Sequence, residues 1–171
     1  LTPLEGLVMG TRSGDVDPSI VTFLMDHMGI SAQEMADILN KKSGIQGMSG
    51  VSSDMREIDK AVSEGNERAA LALNVYCYRI RKYIGAYTFA MGGVDAIIFT
   101  AGVGEHQASV RYDALHGLES LGIKIDEAKN NANSGADEVI SAVDSKVTIA
   151  VIGTDEELLI AKDTEALVSG Q

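Results

Sequence analysis

The sequence predicts an α/β fold rich in helix, and three observations carry that reading. Ala96 to Phe99 is a short apolar run between Gly92-Gly93 and Gly102, which reads as a buried strand. It leads through Thr100-Ala101-Gly102-Val103-Gly104-Glu105 into a helical pattern from about Ala108. Val147 to Ile152 is a second apolar strand, and Gly153-Thr154-Asp155-Glu156-Glu157 turns it into a last helix, Glu156 to about Val168. Between Glu67 and Met91 a broad apolar band marks the longest helix, expected to be heavily buried.

The 171 residues suit one domain, with 45% hydrophobic and 23% charged residues, which is enough apolar material for a core. A net charge of −11 argues against a nucleic-acid or anionic-membrane surface, though not against a local basic pocket for a small anion. The single cysteine, Cys77, cannot make an internal disulfide and reads as a small buried hydrophobe of a reducing compartment. No apolar run is long enough to span a membrane. The chain opens at Leu1 rather than methionine and reads as a fragment or a processed chain.

Taken in order, Thr2-Pro3-Leu4-Glu5 reads as a capped helix start, with Leu4, Leu7 and Val8 on its apolar side. Asp17-Pro18 begins a helix that Gly29 ends, with Ile20, Val21, Phe23, Leu24 and Met28 apolar. Ser31 and Glu34 form a capping box for a helix to about Asn40. Residues 41 to 50 read as glycine-rich loop, and Ser53-Asp54-Met55-Arg56-Glu57 opens a helix to about Ser63. Asn66 suits the cap of the long helix. Beyond the first strand, a helix is expected from Ala108 to Leu121 and a short alternating strand over residues 122–126. Then come a frayed helix with loop over residues 127–135 and a short strand at Val139-Ile140.

The turns carry the chemistry. Strand, glycine turn, helix is where α/β proteins bring backbone N–H groups to a phosphate, and Gly102 and Gly104 leave room for close approach. The motif is neither G-x-G-x-x-G, since Gln107 stands at the third glycine, nor a Walker A loop. An ordinary tight turn would read the same way. A dehydrogenase reading is poor, because that glycine is missing and no acidic residue ends a following strand in the expected position. In Met9-Gly10-Thr11-Arg12-Ser13-Gly14-Asp15, a lone arginine suits carboxylate or phosphate oxygens, or a pairing with Asp15 or Asp17 in a solvated loop. Asp54 suits a helix cap, with a nucleotide role as the sharper alternative. Asp155, Glu156 and Glu157 suit the positive start of the last helix, with Thr154 as cap; a carboxylate there would also serve Mg2+. His27, His106 and His116 form no metal-binding spacing, and only His106 falls at a candidate site.

Thr2-Pro3-Leu4-Glu5-Gly6-Leu7 running into Met9-Gly10-Thr11-Arg12-Ser13-Gly14-Asp15 resembles a signature region of acetate kinases. Asn40-Lys41-Lys42-Ser43-Gly44, Gly47-x-Ser49-Gly50, Ser53-Asp54-Met55-Arg56, residues 95 to 105 and the closing Gly153-Thr154-Asp155-Glu156-Glu157 resemble the same family in the same order. The resemblance covers essentially the whole chain. It implies an RNase H-like domain of the sugar kinase, Hsc70 and actin superfamily, helix-rich with a small mixed sheet. Residues 1–171 would be the carboxy-terminal nucleotide-binding domain of a two-domain cytoplasmic kinase, without its amino-terminal domain.

The implied reaction is reversible phosphoryl transfer from ATP to acetate, giving acetyl phosphate and ADP, in a homodimer. Propionate or butyrate is an alternative acceptor. The resemblance implies that Arg12 is catalytic, contacting acetate or the phosphoryl group. It puts Asp54, Met55 and Arg56 on the adenosine side, and Gly102, Val103, Gly104, Glu105 and His106 at the nucleotide phosphates. The family's commoner residue at His106 is asparagine, and an imidazole can still donate a hydrogen bond. Glu156 would help hold Mg2+, or Mn2+ in its place. A non-catalytic module that binds nucleotide and dimerises is the competing reading, and the chain alone is expected to be inactive because half the cleft is missing.

Overall fold

The computed structural model describes residues 2–169; Leu1, the expected start of the chain, lies outside them. The residues group into two compact units, Leu1–Gly93 and Val94–Gln171.

The first unit is helical: α1 (Pro18–Met28), α2 (Ala32–Lys41), α3 (Gly44–Ser49), α4 (Met55–Ser63) and α5 (Glu67–Ala90). Their starts follow local chemistry. Asp17 accepts the Ser19 N–H ahead of α1 at 2.8 Å, with Pro18 at its first position. Ser31 and Glu34 close the expected capping box of α2, and Asn66 accepts the Ala69 N–H at the start of α5. Helix α5 packs on α3 and α4 through Ala69, Ala72, Leu73 and Cys77, spaced along one stripe. The expected heavy burial holds for that stripe only: Leu71, Tyr78, Tyr87 and Phe89 are exposed. The apolar side of α1 is exposed at Ile20, Phe23 and Met28.

Residues 2–8 form turns, not a helix. Gly6 takes φ +114°, donates its N–H to Asp15 Oδ1 at 2.8 Å and accepts the Asp15 N–H, so this segment pairs with the next loop. Residues 41–50 are not all loop but contain α3. Its N–H groups are capped by carbonyls from residues 9–11, a long-range partnership that local pattern does not encode.

The second unit holds β1 (Ala96–Phe99), α6 (Ala101–His106), α7 (Ala108–Leu115), a 3-10 turn at Glu119–Leu121, α8 (Glu127–Ala132), β2 (Glu138–Val139), β3 (Thr148–Val151) and α9 (Glu156–Ser169). The sheet is mixed, in the order β1-β3-β2. Strand β1 runs parallel to β3, Ala96 opposite Thr148 and Phe99 opposite Val151, while β2 is antiparallel to β3. Central β3 is buried at Ile149, Ala150 and Val151. Strand β1, expected buried, is buried at Phe99 and exposed at Ile98, because successive side chains point to opposite faces of the sheet and only the face of Ile97 and Phe99 is covered.

The helix expected to reach Leu121 stops at Leu115, where Gly117 takes φ +83°. The strand expected over residues 122–126 reduces to one bridge, Ile125 to Ser141, because Asp126 leaves it to cap α8, accepting the Lys129 N–H. All of α9 is exposed.

Candidate functional site

In the first unit the backbone around Arg12 is held by main-chain hydrogen bonds. The N–H groups of Ser43, Ile45 and Gln46 donate to the carbonyls of Thr11, Met9 and Gly10, each at 2.9 Å. Ser13 N–H donates to Leu39 O, and Thr11 Oγ1 donates to Asn40 O at 3.0 Å. A Cβ on Gly44, at φ +65°, would collide with the Met9 carbonyl oxygen. A Cβ on Gly14, at φ +70°, would stand 2.6 Å from the carbonyl oxygens of Gly6 and Leu7. Gly14 and Gly44 therefore permit a close backbone clamp on the Arg12 loop that any side chain would pry open.

Asp15 does not pair with Arg12. Its Oδ2 accepts from Arg79 at 2.5 Å and from the Tyr83 hydroxyl at 2.6 Å. The Tyr83 hydrogen bond, then the Gly6 N–H, hold the Asp15 carboxyl below the usual carboxylate range. Arg12 is exposed, makes no ion pair among the described residues, and lines an open cavity of about 710 Å³ with Thr11, Gln33, Asn40, Lys41 and Ser53. A forked cation on a backbone-clamped loop, facing a cavity whose other charges, Asp37 and Lys41, pair with each other, can hold a carboxylate or a phosphoryl group.

Asp54 is first of all a cap. Its Oδ1 accepts the Arg56 N–H at 2.9 Å, and the Arg56 guanidinium grips both carboxylate oxygens, Nη2 to Oδ2 at 2.6 Å. That grip lowers the Asp54 pKa to about 2. Both side chains face solvent, whereas Met55 is buried in the α4 core with Ile58. The helix-cap reading thus accounts for Asp54, and Arg56, though exposed, has its Nε and Nη2 engaged by that carboxylate.

In the second unit the two expected turns stand side by side, at the carboxyl ends of the parallel pair β1 and β3. That edge is where open parallel sheets bind ligands. Glu105 Oε1 joins the turns, accepting the Thr154 N–H and the Thr154 hydroxyl, each at 3.0 Å. The Thr154 N–H is the main cause of a lowered Glu105 pKa. Thr154 is therefore not the cap of α9; Asp155 is, accepting the Leu158 N–H at 2.9 Å.

The expected tight glycine turn is itself the short helix α6. The left-handed residue is Ala101, φ +57°, not Gly102. Nothing lies within 4 Å of a Cβ placed on Gly102, so that face is open to a ligand, whereas a Cβ on Gly104 would meet the Phe99 backbone at 3.2 Å. Gly102 thus leaves room for an incoming group and Gly104 lets α6 pack on β1. Val103 is half-buried between them. His106 packs against the 134–135 turn, its Nδ1 standing 3.2 Å from Ser134 O, a hydrogen bond in the Nδ1–H form.

Glu156 is exposed in the first turn of α9, two residues beyond Thr154. No group of three or more metal-ligating side chains gathers among the described residues. A single exposed carboxylate such as Glu156 is nevertheless compatible with Mg2+, which takes one or two carboxylates and keeps several waters.

Pattern reading misses one residue altogether. Arg111, on the apolar face of α7 with Val110, Ala114 and Leu115, has no exposed surface. Its Nε donates to Asn130 Oδ1 at 2.7 Å, Nη1 to the carbonyls of Gly104 and Glu105 at 2.9 and 2.8 Å, and Nη2 to the carbonyls of Asn130 and Asn133. Burial pushes its pKa down. A lone arginine in an otherwise apolar helix face, with two asparagines three residues apart downstream, is the signal that would have found it.

Residues 1–162 match the model of the acetokinase family. An acetate kinase of Phocaeicola vulgatus is 60% identical over 169 residues, covering 99% of this chain and 42% of the relative. The crystal structure of the Porphyromonas gingivalis acetate kinase matches with a TM-score of 0.92 and 53% identity, over 98% of this chain and 42% of that one. A propionate kinase from Francisella tularensis matches with a TM-score of 0.85 and 41% identity, over 94% and 41%. The chain spans about two-fifths of the length of the relatives it matches. Its family model, its near-complete coverage at 60% identity and its helix-rich α/β architecture with a small mixed sheet agree: the chain belongs to the acetokinase family.

Proposed function

We propose that the chain is the carboxy-terminal nucleotide-binding domain of an acetate kinase, which moves a phosphoryl group reversibly between ATP and acetate, giving acetyl phosphate and ADP. The observation that carries this reading is the pair of turns at the carboxyl ends of β1 and β3, joined through Glu105 and Thr154, in a chain of the acetokinase family.

A phosphoryl group in transfer spreads negative charge over its oxygens, so catalysis is chiefly positioning and electrostatic stabilisation. Arg12, preorganised by the backbone clamp on its loop, supplies a fixed guanidinium to the acetate or to the phosphoryl group. The open face at Gly102 admits the nucleotide phosphates to Gly102–His106; within the first unit, Asp54, Met55 and Arg56 are the residues assigned to adenosine. Glu156 holds Mg2+, or another divalent cation such as Mn2+, which when bound neutralises phosphate charge. No residue of the chain is needed as a covalent nucleophile, in keeping with a buried Cys77.

Calorimetric titration with Mg-ATP and Mg-ADP tests this reading on wild type and Gly102→Val. The substitution enters open space, so the chain folds and loses nucleotide affinity. Equal affinity in the two proteins overturns the assignment of the turn.

Propionate as acceptor is a second reading, favoured by the similarity to the Francisella tularensis propionate kinase. Initial rates with acetate, propionate and butyrate in the whole protein separate the acceptors. The exposed aromatic residues of α5, Tyr78, Tyr87 and Phe89, support pairing of two copies, which sedimentation equilibrium tests. A cytoplasmic location fits one buried, unbridged cysteine.

A further inference from the structure

Arg111 spends a permanent charge where an apolar side chain would fill the same space. It has no exposed surface, and among the described residues it makes no ion pair. All five of its N–H donors are nevertheless used. Every acceptor is a carbonyl or amide oxygen, two of them on Gly104 and Glu105 and the rest on Asn130 and Asn133. Asn130 is itself tied down, its Nδ2 donating to Ala108 O at 2.9 Å. Asn133 donates to Ala136 O and Glu138 and accepts the Gly135 N–H. The fork therefore fastens the last residues of α6 to a rigid asparagine anchor. Such a buried cation is costly and persists only where its hydrogen bonds are all met.

We propose that Arg111 is a positioning residue. By gripping the carbonyls of Gly104 and Glu105, it sets the backbone from which the Glu105 carboxylate reaches Thr154, and so holds the two ligand-facing turns in register. A guanidinium is needed because its planar donors reach four residues at once; an ammonium presents a single point. The inference rests on reading Gly102–His106 as the turn at the nucleotide phosphates, but its structural half stands apart from that.

The test uses Arg111→Met and Arg111→Lys, with Asn130→Ala as a milder variant that keeps the arginine and removes its Nε acceptor. Hydrogen exchange of the Thr154 amide, which donates to Glu105, reads the register directly. It accelerates at least tenfold in each folded variant, while the amides of Ile149 and Val151 keep their protection. Calorimetry then compares Mg-ATP with adenosine. Mg-ATP affinity falls at least tenfold and adenosine affinity does not change, because only the phosphates meet the turn. Wild-type protection of Thr154 in the variants, full rescue by Arg111→Lys, or equal loss of Mg-ATP and adenosine each overturns positioning. A wild type that binds neither ligand sinks the nucleotide reading alone, and the exchange experiment still decides the role of Arg111.

Discussion

Glu105 and Thr154 lie 49 residues apart, yet one carboxylate oxygen of Glu105 takes both hydrogen bonds that Thr154 offers. This is the side-chain link between the turn after β1 and the turn after β3. Thr154→Val keeps the backbone N–H, the larger cause of the lowered Glu105 pKa, and removes the hydroxyl. The carboxyl should rise part of the way toward its usual value of 4.5. The sign follows from a depressed native pKa: the stabilisation is complete above the usual value and is lost as pH falls through the lowered one. The variant should therefore lose stability at a higher pH than wild type. Carboxyl NMR titration and acid unfolding check this, and an unchanged Glu105 titration would refute it.

Ala101 carries the one left-handed backbone among the non-glycine residues described. Alanine there costs about 1–2 kcal/mol relative to a relaxed conformation. Ala101→Gly in a helix interior ordinarily destabilises, but at this position it should leave stability unchanged or raise it by up to about 1 kcal/mol. Urea unfolding gives the sign, and a loss of about 1 kcal/mol would show that the strain is not felt.

Arg12 makes no ion pair among the described residues, so its removal should cost function rather than fold. Arg12→Ala should leave the unfolding midpoint in place and lower acetyl phosphate formation by the whole protein on the order of 100-fold or more. Arg12→Lys should recover little, since an ammonium cannot reproduce the fork. Loss of stability in parallel with activity would mean that Arg12 is structural.

Asp54 is both helix cap and Arg56 partner, and asparagine separates the two. Asp54→Asn keeps the cap on Arg56 N–H, so α4 stays formed. It also frees the Arg56 guanidinium and abolishes the titration near pH 2, whose cause is first the Arg56 side chain and then its N–H. If Asp54 also serves the nucleotide, Mg-ATP affinity falls in a folded protein. Unchanged affinity by calorimetry would leave Asp54 a cap only.

Much of the architecture was legible because its signals are local. Asp17-Pro18, the Ser31–Glu34 box, Asn66 and Asp54 each start a helix by a hydrogen bond within a few residues. The Ala96–Phe99 and Thr148–Val151 strands stand out as apolar runs between turn residues. Where the expected element failed, a distant partner intervened. Thr2-Pro3-Leu4-Glu5 has the letters of a helix start, but Gly6 pairs with Asp15. Residues 44–49 have the letters of a loop, but carbonyls from residues 9–11 cap them into a helix.

The candidate site divides the same way. Residue types and their spacing determined that a glycine turn follows one strand, that an acidic turn follows another, and that a lone arginine sits between glycines. Those features depend on neighbours in the chain, and the sequence displays them directly. Only the tertiary structure decided that β1 and β3 are parallel neighbours, which sets their turns side by side and lets Glu105 reach Thr154. It alone decided that the left-handed residue is Ala101, and that Arg111 lies wholly buried under the Gly104 and Glu105 carbonyls. A charge's burial and a strand's partner are set by contacts tens of residues away, where the free energy of packing overrides what any short stretch prefers.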